Sequence, residues 1–194
     1  MKNWSQQAPE LQIAQWLNVD QPLTLADLRG RVVVLHAFQM LCPACVSHGL
    51  PQALEIYRAF ERADVAVLGI HTVFEHHAVM CADALKAFMH EYRIAFPVGI
   101  DRPALHGAIP LTMQAYAMRG TPTLIILDRQ GRMRLHHFGR LDDLQVGAVI
   151  GQLLGEAGTA DGGGETIARG DAAASGAGSS QGCANDLVQK GDAA

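Results

Sequence analysis

Two cysteines two residues apart, in Cys42-Pro43-Ala44-Cys45, follow directly on the apolar run Val32-Val33-Val34-Leu35-His36-Ala37-Phe38. A continuous apolar run of this length is the mark of a central strand covered on both faces. Pro43 suits the first turn of a helix, where a missing N–H costs no hydrogen bond. The pair is therefore expected where a buried strand gives way to a helix. The partial positive charge and free N–H groups of a helix N-terminus favour a thiolate on the first sulfur. That placement makes Cys42 and Cys45 a candidate reactive dithiol.

The rest of the chain alternates in the same manner. Residues 11–17 alternate in part and read as a strand, followed by a turn at Asn18-Val19-Asp20-Gln21-Pro22. Thr24 is a fair N-cap for a short helical segment ended by Gly30. The helix opened by the cysteines is predicted to run to about Phe60, with Leu50, Leu54, Tyr57 and Phe60 on one face. Residues 64–70 form a second buried strand, 82–92 a helix, 96–100 a short strand and 110–118 another helix. Residues 124–127 and 133–138 bracket Asp128-Arg129-Gln130-Gly131, a hairpin turn. A last helix is expected over 142–154. The order predicts an α/β layer fold in which helices flank a largely parallel central sheet, made mixed by a closing antiparallel hairpin.

From Gly155 the composition changes, with ten Gly and ten Ala in the last forty residues. Such a stretch buries too little apolar surface to offset its ordering entropy. The expected division is a domain over 1–154 and a flexible Gly/Ala-rich tail over 155–194. Residues from 155 onward carry six acidic and two basic side chains, so the whole net charge of −4 falls there. The neutral balance of 1–154 gives no nucleic-acid footprint. No apolar run approaches a membrane span, and Met1-Lys2-Asn3-Trp4-Ser5 lacks the apolar stretch of a signal peptide. A cytoplasmic location is the expectation. There the four cysteines would be catalytic, metal-binding or inert rather than structural disulfides.

Leu25-Ala26-Asp27-Leu28-Arg29-Gly30-Arg31-Val32-Val33-Val34 leading to Cys42-Pro43-Ala44-Cys45, then Gly120-Thr121-Pro122-Thr123, and Asp128, Gly131 and Gly139 resemble the thioredoxin superfamily. Within it they are similar to the TlpA/ResA-like, redoxin (AhpC/TSA-related) branch. The resemblance spans about residues 8–154 and implies a thioredoxin-like fold with an inserted strand–helix unit over roughly 71–100. It also implies a cis Pro122 packed against the CxxC, holding the backbone of Thr121 open for a substrate strand. The branch usually carries a tryptophan-rich stretch where this chain has Phe38-Gln39-Met40-Leu41.

The activity implied is thiol–disulfide exchange. Cys42 attacks a substrate disulfide, and Cys45, one turn further on, attacks Cys42 and releases the reduced substrate. The second step needs a base. His36, six residues before Cys42, is one candidate if its pKa lies near neutrality. Glu75, after the strand that follows the CxxC helix, is the other. The expected partners are a disulfide-bearing protein or small thiol and an upstream thiol reductant, with no nucleic acid and no membrane. No cofactor is expected beyond the Cys42/Cys45 dithiol.

His71, His76 and His77 lie together at the expected carboxyl end of a strand, where ligands bind in open α/β sheets. With the cysteines they could hold copper or zinc, yet no second CxxC or fixed histidine spacing builds a closed site. Cys81 is expected as a small, partly buried residue at a helix start, and Cys183 lies in the tail without an assigned role. His136-His137 reads as a surface pair in the hairpin. A peroxidase of the peroxiredoxin type is a second possibility. Its Pro-x₃-Thr-x₂-Cys pattern fails here, because Leu35 stands at the proline position and Gln39 at the threonine position.

Overall fold

The computed structural model describes residues 6–156. In chain order its elements are β1 (Ile13–Leu17), β2 (Val32–Phe38), a π-helical turn (Cys45–Gly49) running into α1 (Leu50–Ala59), and β3 (Val65–His71). They continue with α2 (Ala82–Glu91), β4 (Val98–Asp101), α3 (Leu111–Ala115), β5 (Thr123–Leu127), β6 (Met133–Phe138) and α4 (Asp143–Gly155). The strands form one six-stranded sheet in the order β1-β4-β3-β2-β5-β6. β2 pairs in parallel with β3 and β3 with β4, while β1–β4, β2–β5 and β5–β6 are antiparallel. The sheet is mixed and flanked by helices, but it is not largely parallel: the edge strand β1 runs antiparallel to β4, and β5 enters antiparallel to β2, so the hairpin is not the only antiparallel part.

β2 is buried at every position, and apolar at all but His36, because alternate residues feed two cores. Val32, Val34 and Phe38 pack with Cys45, Leu50, Ala53, Ile56 and the α4 residues Val146, Ile150 and Leu153. Val33, Leu35 and Ala37 face the other layer, with Leu25, Leu28, Met113 and Tyr116. β3 divides in the same way, Val65 and Val67 to one core and Ala66, Leu68 and Ile70 to the other. The cysteine turn thus follows the end of a strand buried along its whole length.

The helix after the cysteines is not regular. Leu50 N–H bonds to Cys45 O, five residues back, in place of the usual four. Pro51 supplies the reason: it offers no N–H to Ser47 O, and its ring would crowd that carbonyl in a regular α-helix. One wide turn relieves the clash. The buried residues then become Leu50, Ala53 and Ile56, with Leu54, Tyr57 and Phe60 only partly covered. This shifts the face expected from periodicity.

The segment after Thr24 forms turns rather than a helix, although its local bonds are those of a helix start. Thr24 N and Oγ1 donate to Asp27 Oδ2, and Asp27 N donates back to Thr24 Oγ1. At the other end Asp142 caps α4 by accepting from Leu144 N. The tail from residue 155 lies outside the described residues, apart from Gly155 and Glu156. Glu156 accepts two hydrogen bonds from Arg134, at 2.5 and 2.7 Å. No described helix is long and apolar enough to cross a membrane.

Candidate active site

β2 ends at Phe38, and the chain turns at once: Cys42 N–H donates to Gln39 O at 3.2 Å. Val46 N–H then bonds to Cys42 O at 3.1 Å and Cys45 N–H points to Cys42 Sγ at 3.3 Å. Cys42 is half-buried, whereas Cys45 is fully buried, and both are free thiols. The second sulfur sits in the core beneath α1, while the first stays at the rim.

Across from the cysteines lies the loop entering β5. The Thr121–Pro122 bond is cis. Thr123 Oγ1 donates to Gly120 O at 2.7 Å, and Gly139 N–H donates to Pro122 O at 2.8 Å, which tie the loop to both ends of the β5–β6 hairpin. Gly120 lets the loop pass close to Phe138: a Cβ there would lie 3.0 Å from that ring and push it aside. So held, the Thr121 carbonyl accepts from the Cys42 thiol at 3.5 Å.

The two sulfurs differ in electrostatics as well as exposure. Burial pushes the Cys45 thiol up to about 12, and its hydrogen bond with Cys42 adds to the rise. Hydrogen bonds from the Gln39 backbone and the Thr121 side chain pull the other way. Cys45 is a thiol at neutral pH, so any reaction through it must remove a proton.

His36 lies on the same face of β2 as Phe38 and is 2% exposed. Its ring presses on the helix: a Cβ at Gly49 would stand 2.3 Å from His36 Nε2 and 3.2 Å from Pro122 Cβ. His36 also lines a cleft of about 130 Å³ with Gln52, Arg140 and Asp143. Burial depresses its pKa from 6.5 to about 4, and Nδ1 has no partner among the described residues. The near-neutral pKa expected of it is therefore corrected: an imidazole taken out of water by burial favours its neutral form.

Glu75 is exposed, and Gln39 Nε2 donates to its Oε1 at 3.4 Å. Gln39 Oε1 accepts from Phe74 N–H at 3.3 Å. Gln39, 1% exposed, thus joins the loop after β3 to the cysteine turn. Sequence reasoning passed over it, though a polar residue at the very end of an apolar strand was the signal that could have found it. The three loop histidines do not gather. His71 is the last residue of β3 and buried, whereas His76 and His77 are exposed. Among the described residues no three His, Cys, Asp or Glu side chains are arranged to hold a metal ion. Cys81 begins α2 as expected but is exposed rather than partly buried, because its extended backbone places it ahead of the packed first turn. His136 Nε2 bonds with Tyr116 O, and His137 Nε2 with Arg140 O. Cys183 lies outside the described residues.

Residues 4–136 match the AhpC/TSA family. A crystal structure of a thioredoxin-like superfamily protein shares 60% identity with this chain, covers 78% of it and 97% of itself, and superposes with a TM-score of 0.76. A thiol-disulfide isomerase from Corynebacterium glutamicum is 46% identical, with the same TM-score, over 81% of this chain and all of its own. Protein DipZ of Mycobacterium bovis is 28% identical over 153 residues, 77% of this chain. This chain spans 21% of DipZ, about a fifth of that relative's length. The fold is thioredoxin-like.

Proposed function

The chain belongs to the AhpC/TSA family, and from that premise we propose that it is a thiol–disulfide oxidoreductase working through the Cys42/Cys45 dithiol. The observation that carries this is the asymmetry of the pair. A half-buried Cys42 faces the Thr121 carbonyl, and a fully buried Cys45 is held as a thiol one turn behind it. Cys42 attacks a disulfide sulfur, forming a mixed disulfide, and the leaving sulfur departs as a thiolate. Cys45 then loses its proton and attacks Cys42, and the second substrate sulfur departs. The dithiol gives up two electrons and the substrate disulfide takes them. The relatedness to a thiol-disulfide isomerase at 46% identity supports the reaction class.

Thr121 is the candidate for substrate pairing, since its backbone lies beside Cys42 with Pro122 behind it. Of the two candidate bases, Glu75 is hydrogen-bonded to Gln39 in the cysteine turn. His36, neutral at physiological pH, acts as a buttress for Gly49 and Pro122. The substrates are disulfide-bearing proteins or small thiols, and the oxidised Cys42–Cys45 pair is re-reduced by an upstream thiol donor, in a cytoplasmic setting. The peroxidase alternative finds less support. The position where a threonine would polarise a peroxide holds Gln39, whose amide is engaged at both ends by the loop after β3.

The test is trapping with oxidised glutathione in a Cys81→Ser/Cys183→Ser background. Cys42→Ser abolishes turnover, whereas Cys45→Ser accumulates protein carrying one glutathione on Cys42. Turnover that survives Cys42→Ser would remove the proposed nucleophile.

A further inference from the structure

β3 pairs with β2 along its whole length, from Val32↔Val65 to Phe38↔His71, but with β4 only from Gly69↔Val98 to His71↔Ile100. Pro97 is the reason. Gly69 N–H bonds to Pro97 O, and the ladder's next bond would run from residue 97 to Val67 O, for which proline has no N–H. Asn18 engages the carbonyls of the segment before it, donating from Nδ2 to Ile94 O at 2.8 Å and Phe96 O at 3.2 Å. Beside the unpaired half of β3 lies a cavity of about 390 Å³, closed on its other side by Ala95 and Pro97. Val65 and Val67 belong to one core and Ala66 and Leu68 to the other. Tyr57 covers the cavity from the first side, Leu23 and Leu28 from the second. Its walls are therefore apolar, with the open main chain of Val67 as a polar edge. Two arginines also border it. Arg31 is engaged, donating from Nη2 to Asp27 O at 3.0 Å. The exposed Arg62 holds its guanidinium 4.3 Å over the Tyr57 ring and has no carboxylate partner among the described residues. Asp20, the acid of the lining, is exposed.

We propose that this cavity is a binding site for a small, flat aromatic carboxylate that carries an N–H donor on its ring. Each part of that chemistry answers a feature of the walls. A strand position in the plane of a sheet covered on both faces admits a flat body and excludes a bulky one. The ring takes apolar surface of Val67, Leu23 and Tyr57 out of water. The N–H supplies Val67 O with the bond that Pro97 cannot give. The carboxylate meets the Arg62 guanidinium, whose planar fork accepts two oxygens while its face stays on Tyr57. A few polar groups converging on an apolar concavity are the usual make-up of a small-molecule site. The site is separate from the dithiol. β2 and β3 run parallel, the cysteines follow Phe38 opposite His71, and the cavity flanks Val65–Leu68 at the other end of the strand.

The experiment titrates reduced, full-length protein with indole-3-acetate, read by calorimetry and by backbone amide NMR. One site is expected, with the shifts concentrated on residues 65–68 and Ala95. Indole-3-acetamide keeps the shape and the donor but loses the charge, and it binds about tenfold more weakly. Naphthalene-1-acetate keeps the charge but loses the donor, and it too binds more weakly. Arg62→Met leaves an apolar stem over Tyr57 and brings the acid down to the affinity of the amide. Ala95→Phe, at an exposed position, fills the cavity and removes binding of all three compounds. Both variants keep the parent's thermal melt and its rate with oxidised glutathione, which separates loss of the site from loss of the fold. No binding of the acid, shifts confined to other residues, or equal binding of the acid and either analogue overturns the proposal. So does binding of the acid that is undiminished in both variants.

Discussion

His71 offers a sharp test of how burial governs the histidines around this sheet. Its ring is 1% exposed and lies 5.4 Å from the Phe38 ring, and neither ring nitrogen has a partner among the described residues. Burial alone lowers its pKa from 6.5 to about 4. Above about pH 6.5 the ring is neutral in both folded and unfolded chains. As pH falls from there, the unfolded chain binds a proton that the folded chain refuses, so stability declines until pH reaches about 4. At about 1.4 kcal/mol per pKa unit, the gap is worth roughly 3 kcal/mol. The two unpartnered nitrogens add a desolvation cost of about 1–3 kcal/mol even at neutral pH. His71→Leu, close in volume, removes both penalties. Urea unfolding followed by circular dichroism should show the variant at least as stable as the parent near neutral pH, with the acid-side decline reduced by about 3 kcal/mol. An unchanged slope between about pH 6.5 and 4, or a large loss of stability at neutral pH, would refute the reasoning. Either would mean that the ring is charged or bonded in the fold.

Gly49→Ala forces a Cβ to within 2.3 Å of His36 Nε2 and 3.2 Å of Pro122 Cβ, an overlap expected to cost about 1–3 kcal/mol. In a His36→Ala background the same substitution costs less, and equal costs in thermal melts would show that the two sites do not touch. Iodoacetamide at neutral pH should label Cys42 and the exposed Cys81 in the reduced protein but not Cys45, which is enclosed and protonated up to about 12. Mass-mapped labelling of Cys45 at a rate near that of Cys42 would contradict its placement. Burial alone would raise the Asp128 carboxyl, but the Arg132 N–H, its Nε at 2.8 Å and its charge, together with the Gln130 N–H, hold it below the usual range. Its contribution is present above the unfolded pKa of about 3.9 and is lost as pH falls through the lower folded value. Asp128→Ala, which strands the turn's N–H groups, should cost about 1–3 kcal/mol at neutral pH in urea unfolding and flatten the decline below about pH 4.

The parts of the site that could be read from the chain are those governed by local chemistry. Pro43 after a buried strand places a helix start at the cysteines. Asp128-Arg129-Gln130-Gly131 closes a hairpin because an aspartate can bond its own turn and Gly131 can take φ +73°. The π turn was written in Pro51, but helical periodicity alone passes over it, since one missing N–H leaves the apolar spacing almost unchanged. Gln39 and Glu75 were each visible as polar residues near the right strands, yet nothing local says that one would hold the other.

By itself, then, the sequence determined the dithiol at the end of β2, the α/β alternation and the closing hairpin, because these follow from apolar periodicity and turn chemistry within a few residues. Tertiary structure alone decided that β1 joins the sheet antiparallel to β4, which rests on pairing between residues 81 to 88 positions apart, from Leu17↔Val98 to Ile13↔Asp101. It also decided which sulfur is enclosed, which side chains meet the Gln39 amide, and that His36 and His71 are neutral. Burial is a sum over neighbours from many elements, and the pKa of a cysteine or histidine is set by that sum rather than by its place in the chain.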